Sequence, residues 1–317
     1  METFYYFLAL FTVLFKMIII LIKRKTVIET QKLFMNKLCQ PRDNFELDIL
    51  QRTSISCRLY TIVYLILMNC TALSVLLFPP TKSGDLTLPL KVWTPYSLNL
   101  RKLFFLTYIH QGISALLAAC ATSAVESLAF VIIIQICAQY EILNHRLNLL
   151  SELSTKNNYY PHYQCESKIL KDSVMLHIHI FSIGDTLNKL YGSMIFFQFF
   201  SSSMSLCPIT YQLTKLSTTD PKSWILFFLL ISTLLQIYIY SYFGDKIMAK
   251  SVALMKNVYD MKWLCITNKT KRDLILIMTR ASRPVTFMGF KIVIMSTDTF
   301  VQIVKSAYSA YSLLKRV

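Results

Sequence analysis

The sequence predicts an all-α fold, a polytopic transmembrane helical bundle with six spans in this chain. Two features of the composition predict it. Hydrophobic residues make up 54% of the 317 residues and charged residues only 16%, whereas a soluble domain carries about 25% charged residues. The chain also has 33 Lys and Arg against 17 Asp and Glu, a net charge of +16. This excess in so apolar a chain indicates basic loops between membrane spans and argues against nucleic-acid binding.

Six apolar stretches are candidates for spanning helices, which need about 20 residues each. They are 4–22, 59–78, 103–137, 190–213, 224–243 and a divided stretch within 274–314. The first is interrupted only by Lys16 and is followed by Lys23-Arg24-Lys25, the reverse of the charge order in a signal peptide. The third is about 50 Å long as a helix, so it must tilt or project from a hydrocarbon core of about 30 Å.

The divided stretch has two halves with different expected roles. The first half, 274–295, contains Arg280, Arg283 and Pro284, which favour a packing helix on the cytoplasmic side. After a polar interruption at 296–299, the second half is long enough as a helix to cross most of the hydrocarbon core. A polar stripe recurs along it at every third or fourth residue, and such a stripe faces either another helix or water.

The Lys and Arg residues predict the orientation of the spans. About 21 of them fall in the loops after the first, third and fifth stretches, and about 8 fall in the alternating loops and the C-terminal tail. The first set is therefore cytoplasmic by the positive-inside rule, which places the C-terminus on the outer side of the membrane. An outer N-terminus without a signal peptide further predicts a seven-helix protein whose first span is absent from this chain.

Two charged side chains fall inside the first five apolar stretches, where each costs about 2.5–3.5 kcal/mol on insertion scales. Lys16 lies near the cytoplasmic end of the first stretch, and we expect its ammonium to reach the interface along the helix surface. Glu126 lies deep in the third stretch. For Glu126 a structural and a functional role are equally open.

Residues that enzymes use are sparse in this chain. It has five histidines, and His177-Ile178-His179 is the pair whose spacing could suit a metal ion. Residues two apart on a helix lie on different faces, so we expect no metal site and no cofactor. The eight cysteines form no CxxC pair, and neither a nucleotide-binding loop nor a Gly-x-Ser-x-Gly elbow is present. The sequence therefore predicts a protein that is not an enzyme.

Motifs in the C-terminal third carry a resemblance to a known family. They read Tyr242-Phe243-Gly244-Asp245, Ser251-Val252-Ala253, Met278-Thr279-Arg280-Ala281-Ser282-Arg283-Pro284, Ser296-Thr297-Asp298-Thr299-Phe300 and the run 305–314. In this order and spacing they resemble the insect odorant receptors. The stretch 4–22 with its basic end is similar to that family's second helix, and the family's first helix has no counterpart here.

Three alternatives belong to other classes of membrane protein. The gustatory receptors, near relatives of the odorant receptors, end in a Thr-Tyr…Gln-Phe signature that 310–317 lacks. G-protein-coupled receptors have seven helices in the opposite orientation, and their Asp-Arg-Tyr and Asn-Pro-x-x-Tyr motifs do not occur here in the expected places. A solute transporter would show broken helices in matching halves, whereas only the last stretch is broken here.

The resemblance implies an odorant receptor subunit of a ligand-gated cation channel, with a role in olfaction and sensory transduction. Such a subunit binds a small volatile organic ligand and works as a heterotetramer with the family's co-receptor in the lipid bilayer. The implied domains are a ligand-binding transmembrane bundle with cytoplasmic loops (1–240), a cytoplasmic anchor segment (241–295) and a pore-lining last helix (296–317).

The resemblance also implies two sets of site residues. In this family the ligand lies in the outer half of each subunit, and the last helices line a pore that an apolar constriction gates. The implied ligand-binding positions are Phe4, Phe7, Leu8, Phe11, Met68, Ala72, His110, Ser114, Leu117 and Phe228. The implied pore and gate positions are Ser309, Ser312, Leu313 and Val317. Apolar walls with a few polar groups suit a hydrophobic volatile, and His110 is the most polar of the ligand candidates.

Overall fold

The fold is all-α, as the composition predicts. The computed structural model describes residues 2–77, 100–156, 162–216, 221–290 and 292–316, with 81–82, 85–86, 88, 93 and 96 between the first two ranges. These residues contain eight α-helices: α1 (Glu2–Ile22), α2 (Arg24–Phe34), α3 (Asn44–Leu77), α4 (Arg101–Lys156), α5 (His162–Lys215), α6 (Pro221–Tyr259), α7 (Asn268–Ala281) and α8 (Thr297–Arg316).

Short elements connect these helices. Two 3-10 turns cover Lys37–Cys39 and Trp263–Cys265. Two hairpins are built from two-residue antiparallel strands: β1 (Thr81–Lys82) pairs with β2 (Asp85–Leu86), and β3 (Met288–Gly289) pairs with β4 (Val293–Ile294). The second hairpin lies between α7 and α8, within the first half of the divided stretch, so that half is helical only as far as Ala281.

Two helices are much longer than a membrane is thick. α4 has 56 residues and α5 has 54, which correspond to about 84 Å and about 81 Å at 1.5 Å per residue. The hydrocarbon core is about 30 Å thick, so the length of α4 confirms that the third stretch must tilt or project. In α5 the amphipathic segment 168–186 and the apolar stretch 190–213 form one continuous helix.

The helices differ in how well they suit a bilayer. Among the residues described, three helices are long and apolar enough to cross a membrane, over Asn44–Ser74, Arg101–Leu150 and Ser223–Tyr259, and a shorter apolar helix covers Phe7–Ile22. The predicted spans within α5 and α8 are more polar than these. The helices form the polytopic bundle that the sequence predicts, and the number of six crossings stays a prediction.

The hydrophobic core lies between α4, α5 and α6 and continues along the halves of these helices beyond the predicted spans. Fully buried side chains meet there: Tyr140, Leu143 and Leu147 of α4, Leu176 and Ile180 of α5, and Ile247, Leu254 and Val258 of α6. Full burial of a large apolar side chain contributes about 1.5–3 kcal/mol. The three helices are therefore held together by packing even where no bilayer surrounds them.

A buried ion pair attaches the connection between α2 and α3 to α4. Arg146 Nε donates to Glu46 Oε1 at 2.7 Å, and its Nη2 donates to Glu46 Oε2 at 2.9 Å. The same guanidinium donates to the carbonyls of Leu38 and Gln40 at 2.9 and 3.0 Å. Both charged side chains are almost fully buried, and the bidentate geometry is the arrangement in which an arginine pair is strongest.

The predicted polar interruption at 296–299 is the N-terminal cap of α8. The Ser296 hydroxyl accepts a hydrogen bond from Thr299 N at 3.2 Å, as a capping serine does. Asp245 of α6 accepts a second one from Thr297 N at 2.9 Å. The start of α8 is therefore held against α6 by side chains that belong to the family-like motifs.

Gly244→Ala is expected to destabilise the contact between α6 and the start of α8. A Cβ atom at position 244 would lie 2.7 Å from Met295 Cβ and 2.8 Å from the Met295 carbonyl carbon. The Met295 backbone cannot yield as a flexible side chain can, so we expect a loss of about 3 kcal/mol, measured as a lower thermal unfolding midpoint of the purified protein. Gly192→Ala, whose Cβ would lie 3.2 Å from the Met288 oxygen, is the milder control, and equal midpoints for both variants would contradict the prediction.

Candidate functional site

An ion pair lies in the interior of the predicted membrane region. The ammonium of Lys16 on α1 donates to Glu126 Oε1 on α4, and both side chains are almost completely buried. The prediction that Lys16 reaches the interface is therefore wrong. Lys16 instead points into the bundle, where the carboxylate of Glu126, 110 residues away in sequence, offsets the cost of burying its charge.

Three further side chains complete what we call the buried polar cluster: Lys16, Tyr64, Glu126, Gln198 and Gln236. The Tyr64 hydroxyl donates to Glu126 Oε2, and Gln236 Nε2 donates to Glu126 Oε1 at 2.5 Å. Lys16 Nζ also donates to Gln198 Oε1 at 2.5 Å, and Gln198 Nε2 donates to Gln236 Oε1 at 2.7 Å. The cluster thus joins α1, α3, α4, α5 and α6 at one point.

The chemistry of the cluster is that of a neutralised, hydrogen-bonded charge pair. Glu126 accepts from three donors, and the formal charges of the five side chains cancel. A polar group at membrane depth that lacks a partner is costly, so such a network holds its helices in one arrangement. The sequence did not predict a role for Tyr64, Gln198 or Gln236. Each glutamine is nevertheless a polar residue within an apolar stretch, and such a residue indicates a buried polar contact.

Along the helices, the cluster lies on the side of the predicted ligand positions that the charge pattern predicts to be cytoplasmic. Lys16 follows Phe11 by about 7.5 Å along α1, and Tyr64 precedes Met68 by about 6 Å along α3, at 1.5 Å per residue. On α4, Glu126 follows Leu117 by about 13 Å. The buried polar cluster therefore lies within about one to three helical turns of the predicted ligand positions.

The predicted ligand positions differ in where the structure places them. Ala72 is buried, and Leu8, Met68 and Phe228 are half-buried. Exposed positions are Phe7, Phe11, His110, Ser114 and Leu117. The side chain of Phe4 lies outside the described residues. Among the described residues on that part of α4, the buried polar side chains are instead Thr107 and Gln111.

Three of the predicted pore positions, Ser309, Ser312 and Leu313, lie on the last turns of α8. Ser309 is exposed and Ser312 is half-buried, and their hydroxyls donate to the carbonyls of Lys305 and Ser309 at 2.9 and 2.8 Å. The Leu313 side chain and Val317 lie outside the described residues. Ile303 and Ala307 pack against the core, whereas Val301 and Tyr308 are exposed. One face of α8 is therefore covered by this chain and the other is open.

A cavity of about 680 Å³ lies between α5 and α7. It belongs to the half of the bundle beyond the predicted spans, which we call the projecting half. Its wall includes Phe181, above which the Arg280 guanidinium carbon lies 3.6 Å from the ring centroid. His177 is buried in the same wall and packs against Phe181 with 4.9 Å between ring centroids. Burial, together with the positive charge of Arg280, lowers the pKa of His177 from 6.5 to about 4.

The two histidines of the H-x-H pair have different surroundings. His179 Nε2 lies 2.8 Å from the carbonyl oxygen of Leu33, whereas His177 lies in the cavity wall. Within the part of the chain that the structure describes, no three His, Cys, Asp or Glu side chains come together in a way that could hold a metal ion. The arrangement of side chains is thus one of packing and hydrogen bonding.

Comparison with known proteins identifies the family. The family model for the 7tm odorant receptors matches residues 1–308, almost the whole chain. The chain belongs to the 7tm odorant receptor family. The predicted resemblance is thereby confirmed, and this family is one of receptors and not a known family of enzymes.

Individual odorant receptors are similar over part of their length. Odorant receptor 9a of Drosophila melanogaster is 29% identical over 221 residues, which are 70% of this chain and 54% of the relative. Odorant receptor 67a of the same species is 28% identical over 207 residues, which are 65% of this chain and 50% of the relative. The chain spans about half the length of these curated relatives.

Solved structures show the same fold. The insect olfactory receptor OR5 from Machilis hrabei superposes with a TM-score of 0.83, and its complex with eugenol superposes with a TM-score of 0.81. Each match covers 98% of this chain and 79% of that chain at 14% sequence identity. The predicted bundle of the insect odorant receptor type is therefore confirmed as the fold of this odorant receptor family member.

Removing one charge of the buried ion pair is expected to be worse than removing both. Lys16→Met leaves the Glu126 carboxylate buried without its cation, a loss of about 3–5 kcal/mol, whereas Lys16→Met combined with Glu126→Gln leaves no net charge. We expect the single variant to have the lower unfolding midpoint in detergent. Lys189→Met, which removes an exposed pair with Asp185, should change little. Additive losses in the double variant would contradict a direct charge pairing.

Acidification is expected to destabilise the contact between α5 and α7. The folded protein keeps His177 neutral down to about pH 4, whereas the unfolded chain takes up a proton near pH 6.5. The stability that this group contributes is thus fully present above pH 6.5 and is lost as the pH falls towards 4. His177→Phe should remove this part of the pH dependence of the unfolding midpoint, and His179→Phe should retain it. An unchanged pH dependence in His177→Phe would show that another group titrates.

Proposed function

We propose that the chain is an odorant receptor subunit of a ligand-gated cation channel. It binds a small hydrophobic volatile in its outer half and opens a pore lined by α8, in a heteromer with the family's co-receptor. The observation that carries the proposal is the family match over residues 1–308. The helices, their lengths and the buried polar cluster are consistent with a receptor that works within a membrane.

The ligand region of the proposal lies above the buried polar cluster. Side chains of α1, α3 and α6 provide apolar walls there, and aromatic rings follow one another along α1, with centroids of Phe7 and Phe11 6.2 Å apart and those of Phe11 and Phe15 6.4 Å apart. The OR5 structure of Machilis hrabei was determined with eugenol, a small aromatic molecule, which supports a ligand of that size here. Gln111, which is buried on α4, is a polar candidate beside His110.

The pore of the proposal follows the open face of α8. This face carries Val301, Tyr308 and Ser309, which the described part of the chain leaves exposed. In an assembly of four subunits, the open faces of four such helices could meet around one axis. Leu313 and Val317 would narrow that axis near its outer end, and an apolar constriction closes a pore by excluding water.

The cytoplasmic anchor of the proposal comprises 241–295 and the segment 168–186 of α5. Large apolar side chains remain exposed there, with Leu264, Leu276 and Ile178 exposed by 97%, 67% and 59%. An apolar surface of this kind outside the bilayer favours contact with another subunit. α6 continues through the boundary at 240/241, so the anchor and the membrane bundle share an unbroken helix.

The proposed topology places the basic loops in the cytoplasm and the C-terminus outside the plasma membrane. The charge asymmetry of about 21 against 8 supports it. A tag at the C-terminus that is accessible to antibody on intact cells would agree with this orientation. Accessibility only after permeabilisation would overturn it and would favour a receptor of the G-protein-coupled type.

Co-expression of the chain with the co-receptor is expected to give cation currents that odours evoke. The measurement is whole-cell current across a broad panel of volatiles, with the co-receptor alone as control. Phe11→Ala should shift the concentration that gives half-maximal current, because it removes part of the predicted ligand wall. The absence of current across the panel, with the protein demonstrated at the cell surface, would contradict the proposed function.

Leu313→Ala is expected to raise the basal current without odour. A smaller side chain widens the apolar constriction and lowers the cost of hydrating it. Leu314→Ala is the matched control, because the next residue on a helix points about 100° away. Basal currents that rise equally in both variants would remove Leu313 from the gate.

A further inference from the structure

A groove of about 470 Å³ lies between α3, α4 and α6. Its upper end is formed by Ser56, Cys137 and Lys246. These residues lie within about one helical turn of the cytoplasmic ends of the predicted spans 59–78, 103–137 and 224–243. We call it the inner-face groove, since it begins where the membrane surface is proposed to be.

The inner-face groove offers hydrogen-bond acceptors on one wall. Glu141 and Asn144 of α4 line it together with Asp48 of α3. Asn144 Oδ1 is buried and accepts no hydrogen bond from the described residues. Glu141 Oε1 accepts a hydrogen bond from Lys250 Nζ at 2.6 Å, and the Glu141 side chain is 43% exposed. A buried carbonyl oxygen beside a carboxylate suits a ligand that carries several N–H donors on a positive charge.

The same groove offers cations at its opening. Lys246 of α6 and Arg52 of α3 line it. Arg52 pairs with Asp48 at 2.5 Å, and both side chains are largely exposed. An exposed pair of this kind contributes little stability, so a ligand that displaces it loses little. Lys246 and Arg52 suit a phosphate group, so the groove combines sites for a cation and an anion in one ligand.

An apolar surface continues upwards from the groove. Leu59, Val63 and Ile66 lie on the side of α3 that faces away from the bundle, and they are 60%, 56% and 57% exposed. Tyr60 and Tyr242, both partly exposed, flank the junction, at the level where tyrosine side chains concentrate in membrane proteins. A ligand that fills the groove can therefore extend along an apolar path at least two helical turns long.

We propose that the inner-face groove binds the headgroup of phosphatidylethanolamine from the cytoplasmic leaflet. Its primary ammonium donates to Glu141 and Asn144, its phosphate meets Lys246 and Arg52, and its acyl chains lie along Leu59, Val63 and Ile66. Phosphatidylcholine has the same phosphate and chains, but its methylated ammonium has no N–H to donate. The groove therefore discriminates between the two lipids at Asn144 and Glu141. This inference rests on the proposed orientation of the chain in the membrane.

Lipid binding to the purified protein in detergent tests the inference without any channel measurement. The added lipids share their acyl chains and form the series phosphatidylethanolamine, its N-methyl and N,N-dimethyl forms, and phosphatidylcholine. Bound lipid is counted by native mass spectrometry, and the thermal unfolding midpoint is followed in parallel. We expect affinity to fall along the series, by about tenfold between its ends, because charged hydrogen bonds are lost. Equal retention of the two end members would overturn the proposal.

Variants locate the discrimination in the groove. Glu141→Gln and Asn144→Leu, singly and together, should reduce the preference for phosphatidylethanolamine while binding of phosphatidylcholine stays as it was. Asp185→Asn removes one carboxylate outside the groove and should keep the preference. A cooperative unfolding midpoint without added lipid shows that a variant is folded. If Asn144→Leu does not fold, Glu141→Gln alone carries the test. A preference that persists in folded Glu141→Gln would overturn the assignment of the site.

The free headgroup separates a lipid site from a site for a soluble metabolite. Glycerophosphoethanolamine carries the same ammonium and phosphate without acyl chains. We expect no shift of the unfolding midpoint with this compound at concentrations where the lipid gives one, because the apolar surface above the groove is left uncovered. A shift of the unfolding midpoint equal to that with the lipid would overturn the lipid as the occupant. A loss of odour-evoked current while the lipid preference persists would contradict the proposed function and leave the lipid site standing.

Discussion

The pairing of Lys16 with Glu126 is the interaction on which the half of the bundle with the predicted spans depends. Neither charge can remain alone at that depth without a cost of several kcal/mol. α1 and α4 must therefore adopt rotations that bring the two side chains together. Tyr64, Gln198 and Gln236 add hydrogen bonds from three more helices. Five helices thus share one point of polar contact, and the packing of each is constrained by the others.

The same helices build both halves of the bundle, but polar and apolar side chains are arranged differently in the two halves. Around the buried polar cluster, hydrogen-bonding groups lie inside and apolar side chains such as Ile62 and Ile66 lie outside. In the projecting half, Leu147 and Leu254 are fully buried, and the cations accumulate in the loops. α4 and α6 pass through both halves, and their inward faces stay largely apolar throughout, as the fully buried Ile237 and Leu254 of α6 show. The inner-face groove lies at the junction of the two halves, between α3, α4 and α6.

Apolar stretches predict most helices of this fold and few of its contacts. The position and length of α4 follow from hydropathy, because burial in lipid and burial in protein both require apolar residues. For the same reason hydropathy does not tell which face of α4 points inward, so His110 was favoured where Gln111 is the buried neighbour. Whether Lys16 points into the bundle or to the interface depends on a carboxylate 110 residues away. No local sequence pattern contains that information. Gly244 belongs to one of the motifs that carry the resemblance, and it lies where the close approach of α6 to Met295 leaves no space for another side chain.

The length of α4 has a mechanical consequence. This helix of 56 residues contains no proline, and a helix kinks sharply mainly at proline or at local breaks. It therefore acts as a stiff rod of about 84 Å that is held near its middle by Glu126. A rotation of about 1° around that support moves its two ends by about 0.7 Å in opposite directions, given the rise per residue. Such a rotation would also displace the buried Arg146–Glu46 pair in the other half of α4, so contacts near both ends of the helix would change together.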